Sequence, residues 1–144
     1  APVVAARRRE AVSRLLVSAS EHLASLVTTS LIRPPDVLPH SIARACQLVK
    51  TEFDRPLPIR DVARRIGMST GHLSRLFHQS TGLRFVEYVA RFRAERAREL
   101  LLSSGLPVQA VARQCGFASV SQFNRVFRSV HRVSPRALRT HARE

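Results

Sequence analysis

The sequence has little of what a catalytic, metal-binding or membrane-spanning protein needs. It holds two cysteines, Cys46 and Cys115, in no metal or redox spacing, which suits a reducing, cytoplasmic setting. No run of about 18 apolar residues exists, so nothing in it is expected to span a membrane. No secretory leader is visible. The six histidines are scattered, with no pair at i, i+4 and no acidic partner arranged beside them. Zinc binding and acid–base catalysis both lack their usual constellation. No glycine-rich phosphate loop precedes a helix. No alternation of strand type runs to useful length. An enzyme is therefore not expected, and no cofactor or metal is implied. Acidic residues are also scarce. Ten Asp and Glu face 24 Lys and Arg, all but one of them Arg, for a net charge of +14. Such a balance suits a polyanion, either nucleic acid or an acidic membrane surface. An arginine-rich genome would write the same surface for no functional reason, so charge alone does not decide.

What the chain does have is one pattern written twice. Pro58 to Gly67 reads PIRDVARRIG, and Pro107 to Gly116 reads PVQAVARQCG. The echo continues one residue out of step, with Ser69, Leu73, Arg75 and Phe77 matched by Ser119, Phe123, Arg125 and Phe127. A repeat of about fifty residues takes precedence over every other reading. Each copy predicts a short amphipathic helix, a turn opened by glycine, a serine N-cap and a second helix. That is the grammar of a helix-turn-helix, whose second helix enters the major groove of DNA. Cys115 fills the slot of Ile66, which predicts a small buried apolar residue rather than a reactive thiol.

The rest of the chain predicts helices only. Residues 7–33 carry a stripe at Val12, Leu16, Ala19, Leu23 and Leu26, stepping by fours and threes. The stripe suits either a seam against a second copy or packing on the chain's own domain. Pro34-Pro35 ends it and marks the best domain boundary. Residues 1–35 are accordingly read as an N-terminal linker helix, in a chain that begins with Ala rather than Met. Ile42, Cys46, Val49 and Phe53 predict one buried face on a helix from about Pro39 to Phe53. The first repeat gives helices near 58–66 and 69–79. A long helix spans 85–103, with Phe85, Tyr88, Val89, Phe92, the stem of Arg96, Leu100 and Leu101 along one side. Arg91, Arg93, Glu95, Arg98 and Glu99 occupy much of the remainder. Helices at 107–115 and 119–130 form the second repeat, and Ser134-Pro135 opens a last short one. The expected fold is all-α, with a first lobe at 36–84, a connecting helix at 85–103 and a second lobe at 104–144. A chain of this length can bury one modest core or two small ones. About 19 helical residues span roughly 28 Å, close to one turn of DNA at about 34 Å. One chain could thus address two successive major grooves, although a plain spacer would look the same.

Removing the core-facing residues Leu73, Leu76, Phe77, Phe123, Val126, Phe127 and Val130 leaves the candidate readers. They are Gly71, Ser74, Arg75 and His78 in one copy and Val120, Ser121, Gln122, Arg125 and Arg128 in the other. Arginine can bond bidentately to guanine, glutamine or serine can bond to base edges, and valine can touch a thymine methyl. A solvated or phosphate-bound cation is the alternative for Arg75 and Arg125. Gly71 offers no side chain, so the first copy is expected to read less, although its bare backbone could come close to DNA. Ser119 and Gln122 also have the spacing of a capping box. Candidate phosphate contacts are Ser69, Thr70, His78, Ser119 and Arg128.

These motifs resemble the DNA-binding domain of AraC/XylS-type transcription regulators. The resemblance rests on Ala63 to Ser69, His72 to Phe77, Thr81-Gly82, Phe85, Tyr88 and Arg96-Ala97, then on Gly116-Phe117, Ser119, Gln122-Phe123, Arg125 to Phe127 and Val133 to Pro135. It covers about residues 40–141. It implies seven helices in two lobes, binding to double-stranded promoter DNA, and regulation that is usually activation through RNA polymerase. It also implies an effector bound by a separate domain absent from this chain, with residues 1–35 as the end of that sensor domain, and a place in the cytoplasm on the nucleoid; the stripe itself offers a homodimer through residues 7–33 as one option. By the same resemblance, Ser134-Pro135-Arg136 is a phosphate anchor. Two residues depart from the pattern. Arg132 stands where glycine is usual, which implies a strained turn or a recruited phosphate. Arg84 stands where a capping Ser or Thr is usual, which implies a frayed start to the long helix. The same module also occurs in DNA-repair alkyl-acceptor proteins, but they need a zinc-bound cysteine cluster that this sequence lacks. A helical protein-interaction module is the remaining alternative.

Overall fold

A computed structural model describes residues 38–144, and all regular structure among them is helical. Seven helices follow in order: α1 His40–Glu52, α2 Ile59–Ile66, α3 Thr70–Thr81, α4 Phe85–Ser103, α5 Val108–Gln114, α6 Val120–His131 and α7 Pro135–Arg143. The expected linker helix at 7–33 lies outside the described residues.

Two hydrophobic cores form, one for each repeat. In the first lobe Ile42, Ala45, Cys46 and Val49 of α1 meet Val62 and Ala63 of α2, Leu73 and Phe77 of α3, and Phe85, Tyr88 and Val89 of α4. Phe77 is fully buried, with Phe85 and Tyr88 edge-on to it at 5.3 and 5.2 Å. In the second lobe Ala94, Ala97 and Leu101 of α4 pack with Val111, Ala112, Cys115, Phe117, Phe123 and Phe127. Cys115 is buried, and desolvation pushes its thiol up to about 11. It is inert packing, as its match with Ile66 implies.

The long helix is built differently from its single predicted stripe. At about 100° per residue, Phe85, Tyr88, Val89 and Phe92 fall within an arc of about 100°, while Ala94, Ala97 and Leu101 fall within about 60° on the other side. The N-terminal half of α4 therefore walls one lobe and the C-terminal half walls the other with a different face. Ala94 and Ala97 are fully buried. Their small side chains carry too little hydrophobic contrast to reveal that face by periodicity.

The termini of α4 also depart from expectation. Arg84 has no capping hydroxyl, yet the helix begins at Phe85, and Glu87 reaches back to accept from the Arg84 amide at 3.4 Å. This is one half of a capping box, and it places an acid at the positive end of the helix dipole. At the other end Arg139 of α7 donates to the carbonyls of Leu101, Ser104 and Leu106. An arginine that reads as a surface cation thus satisfies carbonyls around the α4–α5 junction.

Glu95 is a second charge that is not simply solvated. Its side chain is 17% exposed and its Oε1 is buried without a hydrogen-bond partner, 3.8 Å from Nε2 of His131. His131 Nε2 lies 3.2 Å from the Ala94 carbonyl, and its ring stacks on Phe127 at 4.5 Å. Burial pushes the Glu95 carboxyl up from its usual range against the pull of Arg98, and pushes the His131 imidazole down against its bond to the Ala94 carbonyl. A raised carboxyl binds more protons folded than unfolded, so its contribution to stability is lost as pH rises above about 4.5. Glu95→Gln removes that charge. It should raise the melting free energy at pH 7 by about 1 kcal/mol, and the gain should shrink as pH falls toward 4.5. Thermal melts across pH read this directly, and a gain independent of pH would contradict it. His131 acts in the opposite direction, and its contribution is lost as pH falls below about 6.5.

Candidate nucleic-acid interface

Each repeat folds into a helix, a glycine turn and a second helix, for local reasons. In the first, Gly67 closes α2 in the left-handed region at φ 82°. Its amide and that of Met68 both donate to the Ala63 carbonyl at 2.9 Å. No atom crowds the place of a Cβ there, so glycine is required by its dihedral alone. Ser69 then caps α3 by accepting from the His72 amide at 3.2 Å. The second repeat uses the same devices with one residue more. Gly116 stands at φ 84°, the Phe117 amide reaches back to Ala112 at 3.0 Å, and Ser119 accepts from the Gln122 amide at 3.1 Å. That extra residue is the slip between the two copies.

The core-facing set is placed as expected. Leu73, Phe77, Phe123 and Phe127 are buried, while Leu76, Val126 and Val130 pack at the margins. Gly71, Ser74, Arg75 and His78 of α3 are exposed, and so are Val120, Ser121, Arg125 and Arg128 of α6. Arg75 lies back along its helix, its Nη1 3.4 Å from where a Cβ on Gly71 would sit. The missing side chain thus makes room for the arginine. Gln122 is half-buried, and its Oε1 accepts from the Ala118 amide at 3.1 Å. The glutamine completes a capping box shifted by one residue, which leaves its amide nitrogen as the group still to be engaged.

Charge is segregated by helix. No acidic residue occurs in α3, α6 or α7. The acids of the described residues lie in α1, α2 and α4, at Asp54 and at the terminal Glu144. Several of them hold arginines locally, as in Arg65–Glu52 at 2.7 Å, Arg64–Asp61 at 3.0 Å and Arg96–Glu99 at 3.0 Å. Arg75, Arg125, Arg128, Arg132 and Arg136 are exposed and form no ion pair among the described residues.

The end of α6 is strained. Arg132 adopts φ 63° and is the sole non-glycine residue at positive φ among those described. Its amide donates to the Arg128 carbonyl at 2.9 Å. Ser134, the cap of α7, accepts from the Ala137 amide at 3.1 Å, and Pro135 follows at the first helical position. A left-handed arginine costs about 1 kcal/mol relative to glycine. Arg132→Gly should therefore raise the free energy of unfolding by about 1 kcal/mol, as measured by urea denaturation, while weakening binding to any polyanion. A destabilised variant would overturn this reading of the turn.

Among the described residues no helix is long and apolar enough to cross a membrane, and no group of three His, Cys, Asp or Glu could hold a metal ion.

Known proteins share this arrangement. A family model described as a helix-turn-helix domain matches residues 62–141. The chain is 38% identical over 100 residues to an uncharacterized HTH-type transcriptional regulator, YpdC, of Escherichia coli K12, covering 69% of this chain and 34% of that protein. It thus spans about a third of that relative's length. Among solved structures, the C-terminal domain of AraT, a response regulator from Geobacillus stearothermophilus, superposes with a TM-score of 0.70 at 31% identity, over 72% of this chain and 87% of that one. The DNA-binding domain of AdpA, a global transcriptional factor solved with a target DNA, superposes with a TM-score of 0.69 at 27% identity, over 73% of this chain and 95% of that one. With two glycine-turned repeats sharing one long helix, the chain belongs to the AraC/XylS-type family of helix-turn-helix transcription regulators.

Proposed function

We propose that the chain reads double-stranded promoter DNA by laying α3 and α6 in successive major grooves, as the DNA-binding end of a transcription activator. The carrying observation is that Arg75 and Arg125 stand at equivalent positions on two acid-free helices, both exposed and both without an ion pair among the described residues. In this reading Arg125 bonds to a guanine edge, Val120 touches a thymine methyl, and Ser121 and the Gln122 amide nitrogen contribute polar contacts. Gly71, Ser74 and Arg75 form the sparser reader. Ser69, Thr70, His78, Ser119, Arg128, Arg132, Ser134 and Arg136 hold phosphates. Both recognition helices and α7 open with a serine cap and free amides, which favour an anion.

The reading extends to the rest of the protein. Contact with RNA polymerase, an effector-binding domain outside this chain and pairing of two chains through residues 7–33 belong to it. Residues 1–35 serve as the connection, and the protein works on the nucleoid rather than as an enzyme. Selection of bound duplexes from a random pool tests the core of it. Two unlike readers on one chain should recover an asymmetric site, with two boxes centred roughly 10 base pairs apart. Recovery of palindromic sites alone, each needing two chains, would rule the arrangement out.

A further inference from the structure

The two lobes meet where the connector after α1, the middle of α4 and the turn of the second repeat come together. Phe53, the residue that closes α1, belongs to the first lobe. Its ring lies edge-on to Phe92 at 5.4 Å, with the Arg96 guanidinium over it at 5.5 Å from the centroid. Its carbonyl accepts from Nε of Arg93 at 2.7 Å, and Nη2 of Arg93 donates to the Arg55 carbonyl at 2.8 Å. On the far side stands Gly116, the turn of the second repeat. A Cβ there would lie 2.4 Å from the Phe53 carbonyl oxygen, 3.1 Å from the Asp54 carbonyl carbon and 3.1 Å from Nε of Arg93. The second turn thus touches the first lobe's backbone directly, through a glycine. Gly67, its counterpart, has nothing within 4 Å.

Arg93 is chemically suited to hold this junction. It falls between the two buried arcs of α4, at the seam where each lobe takes its own face of the helix. Its planar fork donates to two carbonyls of one connector, which a lysine could not match in geometry. It also brings a cation to the C-terminal end of the α1 dipole, where unpaired carbonyls need donors. Burial lowers the guanidinium's pKa and Asp54 raises it again, but it remains charged. The bonds join the chain at 53–55 to position 93, while the Gly116 contact joins 53–54 to the second turn. Together they remove the freedom of the lobes to rock about α4.

We infer that Arg93 is a positioning residue which, with Gly116, latches the two lobes so that the distance and twist between the recognition helices are fixed. The consequence rests on the two-groove reading: the protein selects DNA sites by the spacing of their boxes as well as by their bases. Arg93 touches no DNA in this reading.

Two measurements test it separately. Spin labels at Gln79→Cys and Ser129→Cys, both exposed on α3 and α6, report the separation of the lobes without DNA. The distance distribution should be narrow with Arg93 in place and clearly broader in Arg93→Met, which keeps the stem and removes the donors. Equal widths would overturn the latch whatever the DNA does. For the second, the duplex selected from the random pool is compared with the same duplex carrying one inserted or one deleted base pair between its boxes. One base pair turns the second box by about 35°, and the unaltered chain should lose about tenfold or more in affinity. In Arg93→Met the penalty should fall to about threefold or less, with the base motif of each box unchanged. An unchanged penalty overturns the inference. A selected site with a single box removes the two-groove reading and the spacing claim, while the label distances still judge the latch. If Arg93→Met does not fold, by its helical circular dichroism, Arg93→Lys carries both tests, with intermediate broadening expected and none overturning it.

Discussion

Phe123→Ala should cost about 3–5 kcal/mol of stability, as large a loss as any single truncation in the recognition helices. Phe123 is fully buried on α6, 4.9 Å from the ring of Phe117 and 5.5 Å from that of Phe127. Around these three rings the second lobe packs four small residues, Ala94, Ala97, Ala112 and Cys115, beside Leu101 and Val111. Alanines have no rotamers with which to fill the space that a phenylalanine leaves, so the cavity would persist. A domain this small has about 5–15 kcal/mol in total, and the loss is a large fraction of it. Urea denaturation should show the midpoint falling steeply. A loss under 1 kcal/mol would mean that the lobe collapses onto the hole and would overturn this expectation. The matched Leu73 in the first lobe, also fully buried, should cost somewhat less, about 2–5 kcal/mol, because a smaller side chain is removed.

Arg125→Ala should leave stability nearly unchanged and weaken binding to the selected site by about 1–3 kcal/mol, with one base position relaxed. The guanidinium is exposed and forms no ion pair among the described residues, so the fold does not depend on it. A phosphate contact would behave differently, lowering affinity equally for all sequences and reducing the salt slope by about one. Repeating the selection with the variant separates the two cases. Ser74→Ala should do less, since the first reader has Gly71 beside it and Arg75 folded along its own helix. Equal loss of base preference from both changes would sink the ranking of the two readers.

The parts of this fold that could be read in advance are those written in neighbouring residues. Gly67 and Gly116 announce left-handed turns, Ser69, Ser119 and Ser134 announce caps, and the repeat multiplies each signal. The parts that could not be read depend on residues far apart in the chain. Arg93 has the sequence context of a solvated cation, and its bonds to Phe53 and Arg55 span 40 and 38 positions. Arg139 reaches back over a similar distance. Ala94 and Ala97 are silent in a hydrophobicity pattern, because alanine suits a surface and a close helix contact equally well. Gln122 shows how one residue can carry two readings, since a capping oxygen and a free amide nitrogen belong to the same side chain. The exposed faces of α3 and α6, from which the candidate readers are drawn, were legible by subtraction once the core faces were assigned.

The change of buried face along α4 makes this helix intolerant of length changes. One residue inserted between Phe92 and Ala94 would turn everything beyond it by about 100° and carry it about 1.5 Å along the axis. Ala94, Ala97 and Leu101 would carry their core with them, and the second lobe would turn away from the Phe53–Gly116 contact, although no residue type had changed. Seven inserted residues come within about 20° of two full turns and advance the second lobe by about 10.5 Å. That is close to three base pairs at about 3.4 Å each. Viable variants of α4 should therefore differ in length by sevens rather than by ones, and each such step would require a new connector for α1 to reach the second turn.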